Sequence, residues 1–192
     1  RAAFVGGLLY MFAPCLVSLF YPGHDGKLYV SALTPLAFLT LHRAVTARGL
    51  TRFLSFGLVY ALMILTAHVQ MAYYASWGFG LYFLFLLWDH YRLNPVRIGG
   101  PILYFILAVA LSVGAASMQW MAPYQYLQKY SQRLQHTEGS GYEWASSWAM
   151  HSPELLAEIN PEIPGANLSG QPATYWGENF FKLNSEAVGV MT

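Results

Sequence analysis

The chain is a series of long apolar runs interrupted at a few short polar stops. A helix needs about 20 apolar residues to cross the hydrocarbon of a bilayer. Residues 3–21 supply one such run, and residues 28–42 a shorter one with Pro35 in its middle. Proline removes a backbone hydrogen bond and kinks a helix, which membrane helices tolerate where neighbours cover the gap. Residues 53–88 are too long for one crossing, so the pattern predicts a hairpin, 53–67 out and 72–88 back, with the break at "AHVQM". Residues 101–121 supply the last run, with Pro101 at a favoured first-turn position. Beyond it the pattern changes. "SPELLAEINP" predicts a short helix with Ser152 as N-cap, Pro153 first and Glu154 in the first turn, ending before Pro161. The following "PEIPGANLSGQPAT" is rich in turn formers and reads as loop. The expected fold is therefore an all-α polytopic membrane protein with about five transmembrane helices in residues 1–121. An extracytoplasmic segment, mostly irregular or helical, covers 122–192.

Composition supports this class. Hydrophobic residues make up 56% of the chain and charged residues 10%, against about 25% charged in an ordinary soluble domain. Seven of the nine acids fall in 122–192. With five crossings, one side of the membrane receives Arg1, Arg43, Arg48, Arg52, Arg92 and Arg97, six of the ten basic residues. The positive-inside rule makes that side cytoplasmic, with its arginines meeting anionic head groups. The other side receives the turn around Lys27, the turn at 68–71 and the tail. No basic stripe points to nucleic acid. The single cysteine, Cys15, sits in an apolar run as a packing residue and supports neither a disulfide framework nor a thiolate metal site. Opening on Arg1 and closing on "AVGVMT", the chain reads as an internal piece of a longer protein.

Polar side chains with chemistry gather on the outer side. In "YPGHDGK", Pro and Gly make a turn in which Asp25 can cap a following amide and favours the start of the next helix. Beyond an ordinary turn, His24, Asp25 and Lys27 form a trio for phosphate, through Lys27 and His24, or for a divalent metal such as Mg or Mn, through Asp25 and His24. His68 and Gln70 form a second pair, either a solvated hairpin tip or polar ligands at the same rim. Tyr73 and Tyr74 follow as an interfacial belt or as a wall of the site. The tail adds Tyr142, Glu143, Trp144 and Trp148, then Tyr175, Trp176, Glu178 and Asn179, whose rings suit interface packing or the faces of a sugar. Asn167-Leu168-Ser169 matches the glycosylation acceptor, a tripeptide common by chance. A Gly-rich phosphate loop, a zinc-spaced Cys or His pair and a serine elbow are all absent from the sequence.

Four stretches taken in order, "PGHDGKLYVSALTPLAFLTLHRA", "AHVQMAYYASWGFGLY", "YEWASSWAMHSPELLAEINPE" and "YWGENFFKLNSEAVG", resemble the YfhO-like family of bacterial membrane proteins, from about Gly6 to Val190. That family looks like polytopic glycosyltransferases of the C superfamily. The resemblance implies sugar transfer from a polyprenyl-phosphate carrier to an acceptor glycan or envelope polymer, at the outer face of the bacterial cytoplasmic membrane. It carries His24, Asp25 and Lys27 as one rim motif, and His68 and Gln70, with Tyr74 beside them, as a second. Tyr175, Trp176, Gly177 and Asn179 form a third, all as substrate-binding positions. It implies that the catalytic acid belongs to an outer loop upstream of Arg1, so no catalytic residue is assigned in this chain. A lipid-linked-sugar transporter, an accessory subunit and a structural scaffold are the alternatives. A transporter predicts polar residues through several spans, and a scaffold predicts rim residues that point apart.

Overall fold

The computed structural model describes residues 2–17, 19–20, 23–92, 97–130, 152–158, 160, 163, 165 and 174–176. All regular structure among them is helical: α1 (Ala2–Met11), α2 (Pro14–Val17), α3 (Asp25–Ala47), α4 (Leu50–Leu65), α5 (Val69–Tyr91), α6 (Gly99–Ala115), α7 (Ser117–Tyr130) and a 3₁₀ helix at Ser152–Glu158. The chain divides into two compact units, Arg1–Asp25 with Leu127–Thr192, and Gly26–Tyr126.

Two helices, α3 and α5, are long and apolar enough to cross a membrane, and the pair α6–α7 makes a third if read as one bent span. Each of the first two has 23 residues, about 34 Å at 1.5 Å per residue, which covers a hydrocarbon core of about 30 Å. The expected runs are recognisable, with three corrections. The run at 3–21 is not one helix: α1 stops and α2 restarts at Pro14, whose missing N–H suits a first helical position better than an interior one. The run at 28–42 is longer than expected. Asp25 to Ala47 is continuous helix through Pro35, because the polar residues at both ends extend it. The run at 101–121 bends by 63° between α6 and α7. At that bend the indole N–H of Trp120 donates to the Val113 carbonyl (3.0 Å), one of the last-turn carbonyls that α6 leaves unpaired. The break in 53–88 falls at Thr66–His68, where the hairpin was expected. "SPELLAE" is helical as expected, in the tighter 3₁₀ form.

Within Gly26–Tyr126, α4 is the central helix: eight of its 16 residues are buried. Its partner α6 lies very close. A Cβ on Gly57 would stand 2.9 Å from the Ala108 carbonyl and 3.3 Å from the Ala108 Cβ. The Ser112 hydroxyl is 2.7 Å from the Gly57 carbonyl and 2.6 Å from the Ala108 carbonyl, so its single proton is shared between acceptors on two helices. Gly57 and Ala61 on α4, and Ala108 and Ser112 on α6 with Ala116 at its C-cap, repeat at four-residue spacing, which lines small residues along one face. Apolar burial gives helices little reason to associate in lipid, so close approach of small faces and shared hydrogen bonds must do it. Aromatic rings fill the wider gaps. Phe83 of α5 stacks on Phe105 of α6 at 4.1 Å, and Phe38 of α3 meets Phe79 of α5 edge-on at 4.9 Å. Phe56 reaches both Phe79 and Phe105. Each such pair contributes about 0.5–1.5 kcal/mol beyond burial.

These contacts fix directions. Phe53 meets Tyr104 and Gly57 meets Ala108, so α4 and α6 run parallel. Phe53 meets Phe83 and Tyr60 meets Phe79, so α5 runs antiparallel to α4. Phe38–Phe79 and His42–Tyr82 set α3 parallel to α5. The α3–α4 connection is only Arg48 and Gly49, both at positive φ, and the Arg52 guanidinium closes it by donating to the Ala47 and Arg48 carbonyls. The outer flanks are apolar: Trp77, Leu81, Leu84 and Phe85 of α5 and Leu58 of α4 are more than half exposed. One buried polar atom among the described residues has no partner, the hydroxyl of Tyr91.

Three substitutions test this packing by unfolding in detergent. Gly57→Leu drives a branched side chain into the α6 backbone and is expected to cost more than about 3 kcal/mol, whereas Ser112→Ala costs about 1 kcal/mol. Ala67→Gly is expected to stabilise by up to about 1 kcal/mol, because Ala67 holds a left-handed φ of 67° that an L side chain resists.

Candidate functional site

The end of the bundle opposite the arginines is built from the first turn of α3 and the connection between α4 and α5. A Cβ on Gly26 would lie 3.0 Å from the Thr66 carbonyl and 3.1 Å from the His68 Cβ. The two polar turns singled out in the sequence therefore touch, and they touch because residue 26 has no side chain. Lys27, half-buried, follows directly on α3.

His68 is the N-cap of α5. Its Nδ1 accepts from the backbone N–H of Met71 at 3.2 Å. The first four N–H groups of a helix lack intrahelical partners, and a side-chain acceptor at this position satisfies one of them. An accepting Nδ1 also fixes the tautomer: the neutral ring carries its proton on Nε2. Thr66 ends α4 with its hydroxyl on the Met63 carbonyl (2.7 Å). The residue between them, Ala67, supplies the positive φ that turns the chain. In the first turn of α5, Gln70 Nε2 donates to the Tyr74 hydroxyl at 2.8 Å. Tyr73 stands beside Tyr74 and edge-on to Trp77. Tyr73, Val69 and Trp120 also line a largely apolar pocket of about 290 Å³ at the same end, floored by Tyr60 and Ile64.

The electrostatic character of this end is set by helix direction. Both α3 and α5 begin here, and helix N-termini carry partial positive charge on their free N–H groups. With the Lys27 ammonium they favour an anion, phosphate above all. The site thus brings together Lys27, the capping His68 and the Gln70–Tyr74 pair, next to an apolar pocket.

The remaining expected residues fall elsewhere. His24 and Asp25 belong to the other compact unit. Asp25 is the first residue of α3 and exposed, the place where a carboxylate is favoured; the His24 amide donates to the Leu19 carbonyl. No cluster of three or more His, Cys, Asp or Glu able to hold a metal occurs among the described residues. His24 and Asp25 would be only two ligands. Tyr175 and Trp176 are tied into the tail: the Tyr175 hydroxyl donates to Glu154 Oε2 (2.9 Å) and the Trp176 indole to the Ile163 carbonyl (2.8 Å). Glu154 is 1% exposed, and Gly165, at φ 75°, leaves no room for a Cβ against the Thr174 carbonyl. Sequence reasoning placed Glu154 in a helical first turn but not its burial. The paired signal was the tyrosine of "ATYWG", too far along the chain to be linked by pattern. Asn179 lies outside the described residues, as do Tyr142, Glu143, Trp144, Trp148, Asn167, Gly177 and Glu178.

His68→Ala is expected to cost about 1 kcal/mol through the lost cap, and His68→Asn or His68→Asp to restore most of it. Gly26→Ala is expected to cost about 1–3 kcal/mol, since its neighbours include backbone that cannot give way. Thermal unfolding in one detergent compares all four. Comparison of the chain with protein-family models, curated proteins and solved structures finds no match.

Proposed function

We propose that this chain is part of an integral membrane glycosyltransferase that moves a sugar from a polyprenyl-phosphate carrier to an outer-face acceptor. The observation that carries the reading is the close approach of Gly26 to Thr66 and His68. It brings the start of α3, with Lys27 from the first of the sequence motifs that suggested the family, to the same end of one bundle as His68 from the second. In this reading the carrier phosphate lies against Lys27 and the N-termini of α3 and α5. His68, Gln70 and Tyr74 face the sugar. The catalytic base is supplied from outside these residues, as general-base activation of an acceptor hydroxyl requires.

The same reading takes the membrane as crossed five times, by α1–α2, α3, α4, α5 and α6–α7. The arginine end is cytoplasmic, and the tail is extracytoplasmic, in a bacterial cytoplasmic membrane. The distribution of charge within Gly26–Tyr126 supports it. Arg48 meets Tyr91 at the far end of α5, and Arg43, Arg52, Arg92 and Arg97 belong to the same end by helix direction, while Lys27 stands at the other. That is the asymmetry the positive-inside rule describes.

Lys27→Ala in the full-length protein is expected to lower sugar transfer about 10- to 100-fold, the value of one charge-assisted contact. His68→Asn keeps a capping side chain but loses the second ring nitrogen, and is expected to lower transfer while leaving the melting temperature near wild type. Full transfer by both variants sinks the site. For sidedness, single cysteines at 27 and 48 in a Cys15→Ser background are expected to react with an impermeant maleimide from opposite faces of intact vesicles.

A further inference from the structure

The arginine end carries an arrangement that topology alone does not require. The guanidinium of Arg92 lies over the Trp88 ring (5.7 Å to the centroid), and that of Arg48 over the Tyr91 ring (4.9 Å). Trp88 and Tyr91 are three residues apart on α5 and therefore neighbours on its surface. Both arginines are exposed, and neither makes a side-chain hydrogen bond or an ion pair among the described residues. A guanidinium laid on a ring uses its face and leaves its N–H edge outward, the geometry that takes phosphate. The Tyr91 hydroxyl has no partner, so its ring is held by packing and by Arg48 rather than by a hydrogen bond. Between residues 26 and 126 there are five arginines and one lysine but a single acid, Asp89, which pairs with His90 at 3.5 Å. Within Gly26–Tyr126 the arginines of this end therefore outnumber its one carboxylate.

One helical turn toward the bundle middle, an apolar groove of about 570 Å³ runs between α5 and α6. Leu84 and Leu87 line it, four residues before Trp88 and Tyr91 respectively, with Ile102 and Phe105 opposite and Gly80 farther along. By register along α5 the groove begins one turn from the two rings that carry the arginines.

We propose that this end binds one anionic phospholipid, with the phosphate held by Arg48 and Arg92 and an acyl chain lying in the α5–α6 groove. The proposal stands apart from the sugar-transfer reading, which concerns the opposite end. The occupant follows from continuity. An anion site that opens directly into an apolar, bilayer-facing groove matches a lipid, whose charge and chain are joined, and not a free anion. Trp88 is exposed near the end of α5, and exposed tryptophans favour the level where a head group meets the hydrocarbon. Phosphatidylglycerol is the probe.

The test is native mass spectrometry and thermal unfolding of the full-length protein, in nanodiscs of phosphatidylcholine with and without phosphatidylglycerol. Wild type is expected to keep one phosphatidylglycerol with about tenfold preference and to melt about 4 °C higher when it is present. Arg48→Gln with Arg92→Gln, and separately Trp88→Leu, are expected to remove both effects, each read as the difference between the two disc compositions for that variant. Gly80→Leu fills the groove from a position where a Cβ meets nothing within 4 Å, and is expected to weaken retention of the lipid. Arg43→Gln with Arg97→Gln is expected to keep at least half of the gain. Four results overturn the proposal: no preference in wild type; equal loss from either arginine pair, which means diffuse charge; the same melting gain from inorganic phosphate in neutral discs; and a groove protected by a second protein helix whatever the lipid charge.

Discussion

The contact of Gly57 with Ala108 and Ser112 is the constraint on which the bundle depends. It brings the backbones of α4 and α6 together with no side chain between them, and a shared hydroxyl proton ties the two helices. With that pair fixed, α5 has one place to lie, across the remaining faces of both, where Phe79 and Phe83 reach Phe56 and Phe105. α3 is then carried on α5 through Phe38 and the His42–Tyr82 hydrogen bond of 3.0 Å. The hierarchy runs from one residue without a side chain outward to the large rings. In a medium where apolar burial no longer discriminates inside from outside, shape and a few polar bonds must decide.

The same arrangement sorts charge. Parallel α3 and α5, alternating with parallel α4 and α6, put every short connection at one of two ends. One end gathers arginines, two of them laid on aromatic rings with their donors outward. The other gathers a lysine, a capping histidine and an amide–phenol pair beside an apolar pocket. Both ends favour anions, but by different means. One uses delocalised guanidinium edges, the other the termini of two helices and a compact ammonium. The phospholipid phosphate proposed for the first would join a charge to the groove beside it, and the lipid-linked sugar phosphate proposed for the second would meet the polar groups set around it.

Much of this was legible in the sequence where a local signal sufficed. The stop at "AHVQM", a helix start close to Asp25 and the Ser152–Pro153–Glu154 turn were readable because caps, breakers and hydropathy act within a few residues. Pro14 was equally local, but it was outweighed by the apolar run around it, although its lost N–H interrupts the helix there. What stayed hidden depends on partners far along the chain. Gly57 looked like any glycine in an apolar helix until Ala108 and Ser112 came against it. The meeting of Gly26 with His68 needed the direction of α4. The burial of Glu154 needed Tyr175, 21 residues away.

The two-residue connection at Arg48–Gly49 has a consequence for how such a chain is made. It leaves no slack for α3 to settle in a bilayer before α4 emerges. α4, at 16 residues and about 24 Å, is short for a crossing by itself. In the proposed five-crossing arrangement the two helices would enter as a hairpin, with the longer member supplying most of the partition free energy and the arginines at the bend staying on their own side. The order of synthesis favours this, since α3 is complete when the bend leaves the ribosome. The central helix of the finished bundle is, at that moment, the passenger of its neighbour.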